Sequence, residues 1–401
     1  MKKEMLDNIK TPCFIIDDKE LNESLSGFST AIKTRFSRAI TSLSVKTNPL
    51  PFVLNSARLA GYYAEVVSDD EYKLALECGF PKSNIIYNGP LKSKESFIDA
   101  ICNGALVNIE TFREIEWLKE LPSNNKKYSI GIRLNVNISL ISPEDENHEN
   151  DNSRFGFSAE SEDFHKAIRL ILNIPTVELN RIHIHRTSKT RSISFYDKLI
   201  KYAFDKITKY NLNIDQIDVG GGFYGIMENK PSYNDYSDVI FNAVSKYRST
   251  DSTTIIIEPG NAIVASAFSF VTTVIDVKNH DGSNYVTIDG SRIDVDPLFR
   301  KNKYYYHIFY NHTKQRIIDR QIVCGCTCLE FDRLFEIFGI NGLSVGDVIV
   351  FERVGAYTMA LTPLFIRYWP DIYILRDGEP YLVRKKWTVT EFIQNNYTNE
   401  R

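Results

Sequence analysis

The sequence predicts an α/β chain in which a (β/α)8 barrel of the TIM type precedes a smaller antiparallel β-domain. Three observations lead there. Eight β-type runs alternate with segments of helical period over about residues 36–262, the count of a parallel eight-stranded barrel. After about residue 265 strands follow one another with little helix between them. The 401 residues are also too many for one domain of ~150.

In chain order the barrel runs are "AITSLSV", "YYAEVVS", "NIIYNG", "GALVNI", "SIGIRLNV", "RIHIH", "QIDVGGG" and "TIIIEPG". Segments such as "DDEYKLALECGF", "TFREIEWLKEL" and "FYDKLIKYAFDKITKY" supply the helices between them. The barrel is expected over residues 36–265 and the β-domain over 266–401, with runs such as "NYVTIDG", "RQIVCGCTC" and "GDVIVFERVGAYT". A parallel barrel carries its chemistry at the carboxyl ends of its strands. The unusual residues fall there: Lys46, Glu65, Asn88, Arg133, His185, Gly220–Gly222 and Glu258.

Forty-eight basic against fifty-one acidic residues give a net charge of −3, which supplies no overall field for nucleic acid or anionic lipid. Glu4 and Asp7 interrupt the amino terminus where a signal peptide needs an apolar run. No stretch reaches the length of a membrane span; "NAIVASAFSFVTTVIDV" comes nearest and reads as paired strands. A cytoplasmic chain whose six cysteines are thiols is expected. The acidic segment Ser142–Asn152 reads as a loop after a barrel strand, either solvated or a lid.

Read alone, each motif keeps two meanings. Lys46 ends an apolar strand, where desolvation favours imine chemistry, or it emerges into solvent. Gly220, Gly221 and Gly222 free backbone N–H groups for an anion such as phosphate, or make a tight turn. His183 and His185 share a face, but no further ligand cluster accompanies them, so His185 suits an aromatic cofactor better than a metal, with Ser188 near enough to reach a phosphate. Glu258 closes a very apolar strand and needs a partner such as a protonated ring nitrogen. Cys324, Cys326 and Cys328 alternate, which places three thiols on one face of a strand and offers a thiol at its end as an acid or base.

Taken in this order the motifs resemble the fold type III pyridoxal-phosphate decarboxylases, the group of diaminopimelate, ornithine, arginine and carboxynorspermidine decarboxylases. The likeness runs from about Thr11 through the β-domain. It implies pyridoxal 5'-phosphate as cofactor, an amino-acid-type substrate, and an N-terminal segment, residues 1–35, that packs with the β-domain. Lys46 looks like the lysine of the internal aldimine and Glu65 like the acid beneath it. Arg133 and the "SRFGF" segment around Arg154 match pocket positions. His185 resembles the imidazole stacked on the ring, and Glu258 the carboxylate that keeps the ring nitrogen protonated. Ser188, Gly220, Gly221, Gly222, Gly260 and Tyr357 resemble the phosphate contacts. Cys328 and Asp332 match the "G-P-x-C-x-x-x-D" signature, whose cysteine reprotonates Cα and whose residues come from the other subunit, implying a homodimer with shared sites.

The departures point to the substrate. Leu329 stands where diaminopimelate enzymes have Glu and ornithine enzymes Asp, Asn261 where Arg is usual, and Asp296 where an arginine helps hold a distal carboxylate. Losing charged hydrogen bonds of about 1.5–3 kcal/mol each disfavours meso-diaminopimelate. The expectation is decarboxylation of an amino acid or amino-acid conjugate in a siderophore or peptide-antibiotic type pathway, with Leu329, Glu330, Asp332 and Arg333 toward the substrate. The alternatives are lysine-forming diaminopimelate decarboxylation or a carboxynorspermidine-type reaction. A racemase or a non-catalytic cofactor-binding protein fits less well, because neither carries the cysteine signature.

Overall fold

The computed structural model describes residues 6, 9–123, 127–146, 153–311 and 316–396. The chain divides into two units, Asn22–Ile263 and a second made of Met1–Leu21 with Val264–Arg401.

The first unit is a closed barrel. Its strands are β2 (Ala39–Ser44), β3 (Tyr63–Ser68), β4 (Ile85–Leu91), β5 (Leu106–Ile109), β6 (Tyr128–Asn135), β8 (Val177–His183), β9 (Gln216–Asp218) and β10 (Thr254–Ile257); β1 (Cys13–Asp17) belongs to the second unit and β7 (Phe157–Ser158) hangs on β6. Every ladder is parallel, and β10 returns to β2, so no edge remains. Both faces of such strands are covered, which is why Ile86, Val107, Ile132, Ile182, Ile217 and Ile256 are all fully buried.

Side-chain caps start the intervening helices. Ser68, Ser93, Thr111, Ser192 and Ser232 each accept an N–H of the first turn, a contact worth about 1 kcal/mol apiece. Register then sets the site: Ser44 lies opposite Glu65, while Arg133, His183 and Asp218 stand side by side on three neighbouring strands.

The segment expected as residues 1–35 divides inside the helix Asp18–Lys33. From Asn22 onward it belongs with the barrel, because the Tyr62 hydroxyl donates to the Leu25 carbonyl at 2.7 Å and Phe28 stacks on Tyr233 at 4.5 Å.

The second unit is a mixed sheet rather than a purely antiparallel one. It contains β1, β11 (Phe268–His280), β12 (Ser283–Ile288), β13 (Tyr305–Phe309), β14 (Ile317–Cys324), β15 (Arg333–Asn341), β16 (Val348–Glu352), β17 (Asp371–Arg376) and β18 (Glu379–Arg384). Most pairings are antiparallel, but β1 with β17 and β12 with β14 run parallel. A strand contributed from the start of the chain reaches β17 only by a long crossover, which permits the parallel sense. The segment read as paired strands is the short helix Asn261–Val264 followed by the single long strand β11.

No described helix is long and apolar enough to cross a membrane.

Candidate active site

At the carboxyl end of the barrel, Lys46 sits in a single 3-10 turn, Val45–Thr47, that follows β2. Gly260 makes this turn possible: a Cβ there would stand 2.2 Å from Thr47 Oγ1. The Lys46 amine donates to Glu65 Oε2 at 2.5 Å and to Ser44 Oγ at 2.8 Å, and Ser44 also donates to Glu65. Its side chain keeps 42% of its accessible surface, whereas that of Glu65 keeps 2%. Withdrawal from solvent pulls the Lys46 pKa down, but Glu65 and Glu258 outweigh it and hold the amine above its ordinary range.

A polar floor continues beneath Lys46. Asn88 Nδ2 bridges two acids, donating to Glu65 Oε1 at 3.1 Å and to Glu258 Oε1 at 2.6 Å. Asn108 donates to Asn88 Oδ1 at 2.8 Å and to Asp218 Oδ2 at 3.1 Å, and accepts from Arg181 Nε at 2.9 Å. Burial lowers the Arg181 pKa to about 10. His183 lies 3.5 Å from Glu258 Oε2, a contact too poorly formed to satisfy either of its buried nitrogens. Burial, reinforced by Arg133, drops its pKa well below the usual imidazole range, so it is neutral.

His185 lies two residues beyond β8, its ring within 10° of parallel to His183. Its Nδ1 accepts the Gly221 N–H at 3.2 Å, which leaves the proton of the neutral ring on Nε2. Burial also pulls this imidazole far below its ordinary pKa. Gly220 has a φ of +74° and no room for a Cβ, which would meet His185 Cβ at 2.4 Å. Of the three glycines expected to cradle phosphate, two therefore spend their N–H inside the protein, Gly220 on Asp218 Oδ1 and Gly221 on His185. Gly222, at φ +94°, is the third residue of the turn. Buried Ser188 accepts the Arg191 N–H at 2.8 Å.

Arg133 is fixed from two sides. Its guanidinium donates to Glu110 Oε1 at 2.9 Å and lies over the Phe155 ring, on which Arg154 also stacks. Glu110 is held in turn by the Gly89 N–H at 2.6 Å, and its neighbour Glu114 pairs with Lys92 at 3.0 Å in a fully buried ion pair. Of the acidic loop read as solvated or a lid, Ser142–Glu146 is described, with Asp145 Oδ1 accepting the Thr190 N–H at 3.0 Å, and residues 147–152 lie outside the described residues.

The other expected site residues lie in the second unit. Strand β14 ends at Cys324, so the three cysteines do not share one strand face; Cys326 and exposed Cys328 lie in the turn that follows. Asp332 ends the strand. Only 3% exposed, it accepts from Ser291 Oγ at 2.9 Å, Arg292 N at 2.9 Å, Thr327 N at 3.1 Å and Thr327 Oγ1 at 2.5 Å. Its carboxylate thus ties its own loop to the Ser291–Arg292 segment. Leu329 is half-buried and Glu330 and Arg333 are exposed, Arg333 lying over the Tyr285 ring. Tyr357 is 41% exposed in a left-handed conformation, φ +67°.

Sequence reasoning passed over Ser44, Asn108, Glu110, Arg181 and Asp218. The available signal was a polar side chain at alternate positions of otherwise apolar strands, as in "GALVNI" and "QIDVGGG".

The donor set suits pyridoxal phosphate: an amine at the barrel mouth, a buried carboxylate for a ring nitrogen, a neutral imidazole, and a glycine turn with a serine for phosphate. Comparisons agree. Residues 23–265 match the family model of the pyridoxal-dependent decarboxylase, pyridoxal binding domain. A diaminopimelate decarboxylase of Aquifex aeolicus is 25% identical over 96% of this chain and 91% of its own. A Niallia circulans decarboxylase of the L-glutamyl-BtrI acyl-carrier protein is 25% identical over 89% of this chain and 88% of its own. The crystal structure of the Methanocaldococcus jannaschii diaminopimelate decarboxylase superposes with a TM-score of 0.85 over 99% of this chain and 94% of that one, at 22% identity.

Proposed function

This chain belongs to the pyridoxal-dependent decarboxylases and is a pyridoxal-phosphate-dependent amino-acid decarboxylase, from which premise we propose that its substrate is an amino-acid conjugate rather than free meso-diaminopimelate. Asp296 carries the proposal. It stands where an arginine of the resembled enzymes helps hold a distal carboxylate, and it is buried, accepting from Arg292 Nε and Nη2, Arg300 N and Lys301 N at 3.0–3.1 Å. An acid in that place, its oxygens filled by Arg292 and two backbone N–H groups, cannot give a distal carboxylate the charged hydrogen bond that an arginine would. Leu329 adds an apolar contact where an acid would grip a distal ammonium. The Niallia circulans relative, whose name gives a carrier-linked glutamate as substrate, makes a conjugate plausible chemistry for this sequence family.

The cofactor supplies an electron-poor ring that accepts the electron pair of the breaking Cα–carboxylate bond. The protein does the rest. Glu258 would hold a proton on the ring nitrogen, and His185, its tautomer fixed by Gly221, would lie against the ring. Gly222 and Ser188 would hold the phosphate, with Gly260 and Tyr357 as further contacts. Lys46 attaches the cofactor and is kept charged by Glu65 until it reacts. Arg133 fixes the wall of the pocket. Cys328 returns a proton to Cα. The working unit proposed is a homodimer in which the Cys328 turn, with Leu329, Glu330 and Arg333, serves the barrel of the partner copy. Asp332 shapes that turn rather than touching substrate.

The test is CO2 release by purified protein from L-amino acids, meso-diaminopimelate, carboxynorspermidine and carrier-linked amino acids. Release from a conjugate at least tenfold faster than from meso-diaminopimelate is expected; rapid turnover of meso-diaminopimelate refutes the proposal.

A further inference from the structure

The floor of the barrel holds two acids in contact. Asp218, the last residue of β9, is fully buried, and Glu258, just beyond β10, is 5% exposed. Their carboxyls meet within hydrogen-bond range, and with His183 their polar atoms lie within 4.8 Å of one another. Around them the direct donors are neutral amides: Asn88 on Glu258, and Asn108 and the Gly220 N–H on Asp218. Arg181 on β8 donates to Asn108 Oδ1, Gln216 Oε1 and the Val107 carbonyl and acts on Asp218 through its charge. His183, also on β8, is neutral.

Two carboxylates this close in a dry core are not both ionised while no cation pairs directly with either of them, a condition that a protonated ring nitrogen beside Glu258 would lift. One proton must lie between them. Burial and the neighbouring Glu258 drive the Asp218 pKa far above the carboxylate range. Burial also raises that of Glu258, but Lys46, Asn88 and Arg133 oppose the rise. The charge therefore settles on Glu258 and the proton on Asp218. A metal ion at the same three residues would face the N–H groups already aimed at both acids, so the cluster suits a proton better than a cation.

We propose that Asp218 and Glu258 form a one-proton store that hands its proton to the ring nitrogen when the cofactor binds. This rests on the reading of Glu258 as that nitrogen's partner. A carboxyl O–H bond breaks and a ring N–H bond forms, with no electron exchanged. Glu258 is left as the anion beside the protonated ring. Asp218 is left as a second anion, held by Asn108, the Gly220 N–H and the field of Arg181. Loading the ring nitrogen then needs no proton from solvent.

Infrared difference spectroscopy tests the store directly, on full-length Glu71→Gln protein stripped of cofactor and then reloaded with pyridoxal phosphate at neutral pH, the substitution removing the C=O band of a second carboxyl that burial pushes up to about 7 near Lys46. The C=O stretch of an un-ionised carboxylic acid should be present before loading, shift in deuterium oxide, and vanish on loading. Asp218→Asn should lack the band and take up about one more proton per site from weakly buffered solution on loading. Should that variant fail to fold, the band of the parent protein decides alone. A band absent before loading, or unchanged by it, overturns the store while a Lys46-dependent cofactor absorbance still stands. Failure to bind the cofactor overturns the store and the cofactor reading together.

Discussion

Lys46 Nζ, from the turn after β2, and Glu65 Oε2, from the neighbouring strand β3, lie 2.5 Å apart, with the carboxylate buried and the amine reaching the mouth. The amine must lose its proton before it can attach to an aldehyde. Glu65→Gln keeps the shape of the side chain and removes the charge. Attachment of pyridoxal phosphate, followed by absorbance against pH, should shift to lower pH by about 1 unit or more. An unmoved profile would show that Glu65 does not set the charge on Lys46.

Glu71 supplies a pH dependence with a definite sign. Burial, helped by Glu65, pushes its carboxyl up to about 7 from 4.5, against the Val67 N–H it accepts. The folded protein keeps this proton after the unfolded chain has lost it. The resulting stabilisation is full below pH 4.5 and is lost as the pH rises through about 7. Relative to Glu71→Gln, the native protein should lose up to about 3 kcal/mol of unfolding free energy between pH 4.5 and 8, read by urea denaturation.

Gly220→Ala should be among the most damaging single-carbon additions in the barrel. The residue has a φ of +74° and the new Cβ would meet His185 Cβ at 2.4 Å. Backbone strain alone costs about 1–3 kcal/mol. Cofactor affinity, measured by absorbance titration, should fall at least tenfold; unchanged affinity would remove the glycine turn from the site.

Much of the barrel site was legible in the sequence because a parallel barrel converts strand order into spatial order. Lys46, His185 and Glu258 follow apolar strands, Glu65 and Arg133 are the charged residues inside theirs, and the register brings Arg133 and His183 level. The supporting amides were less legible: whether Asn88 and Asn108 face the floor or a helix depends on pairings that no local pattern states. The cysteine turn misled for a related reason. Alternation argues for a strand, but Asp332, eight residues beyond Cys324, takes the turn's hydrogen bonds and ends the strand early.

Asp332→Ala should therefore act on the Cys328 turn and not on the cofactor. It removes an acceptor of four hydrogen bonds, including those from Ser291 and Thr327. The expected result is a kcat lowered at least tenfold with cofactor absorbance unchanged. Loss of cofactor in this variant would contradict the assignment.

Sharing of sites between copies is tested by mixing. Lys46→Ala and Cys328→Ala should each be inactive, yet co-refolded dimers should recover about a quarter of the native activity, because half of them are mixed and carry one intact site. No recovery would place both residues in a site made by one chain.

The most direct test of the central claim, that the barrel mouth at Lys46 carries the cofactor, is borohydride reduction of the holoenzyme followed by peptide mass spectrometry. The reduced cofactor's mass should be found on the peptide containing Lys46 and disappear in Lys46→Ala. A label on another lysine, or none on a protein that still releases CO2, would contradict it.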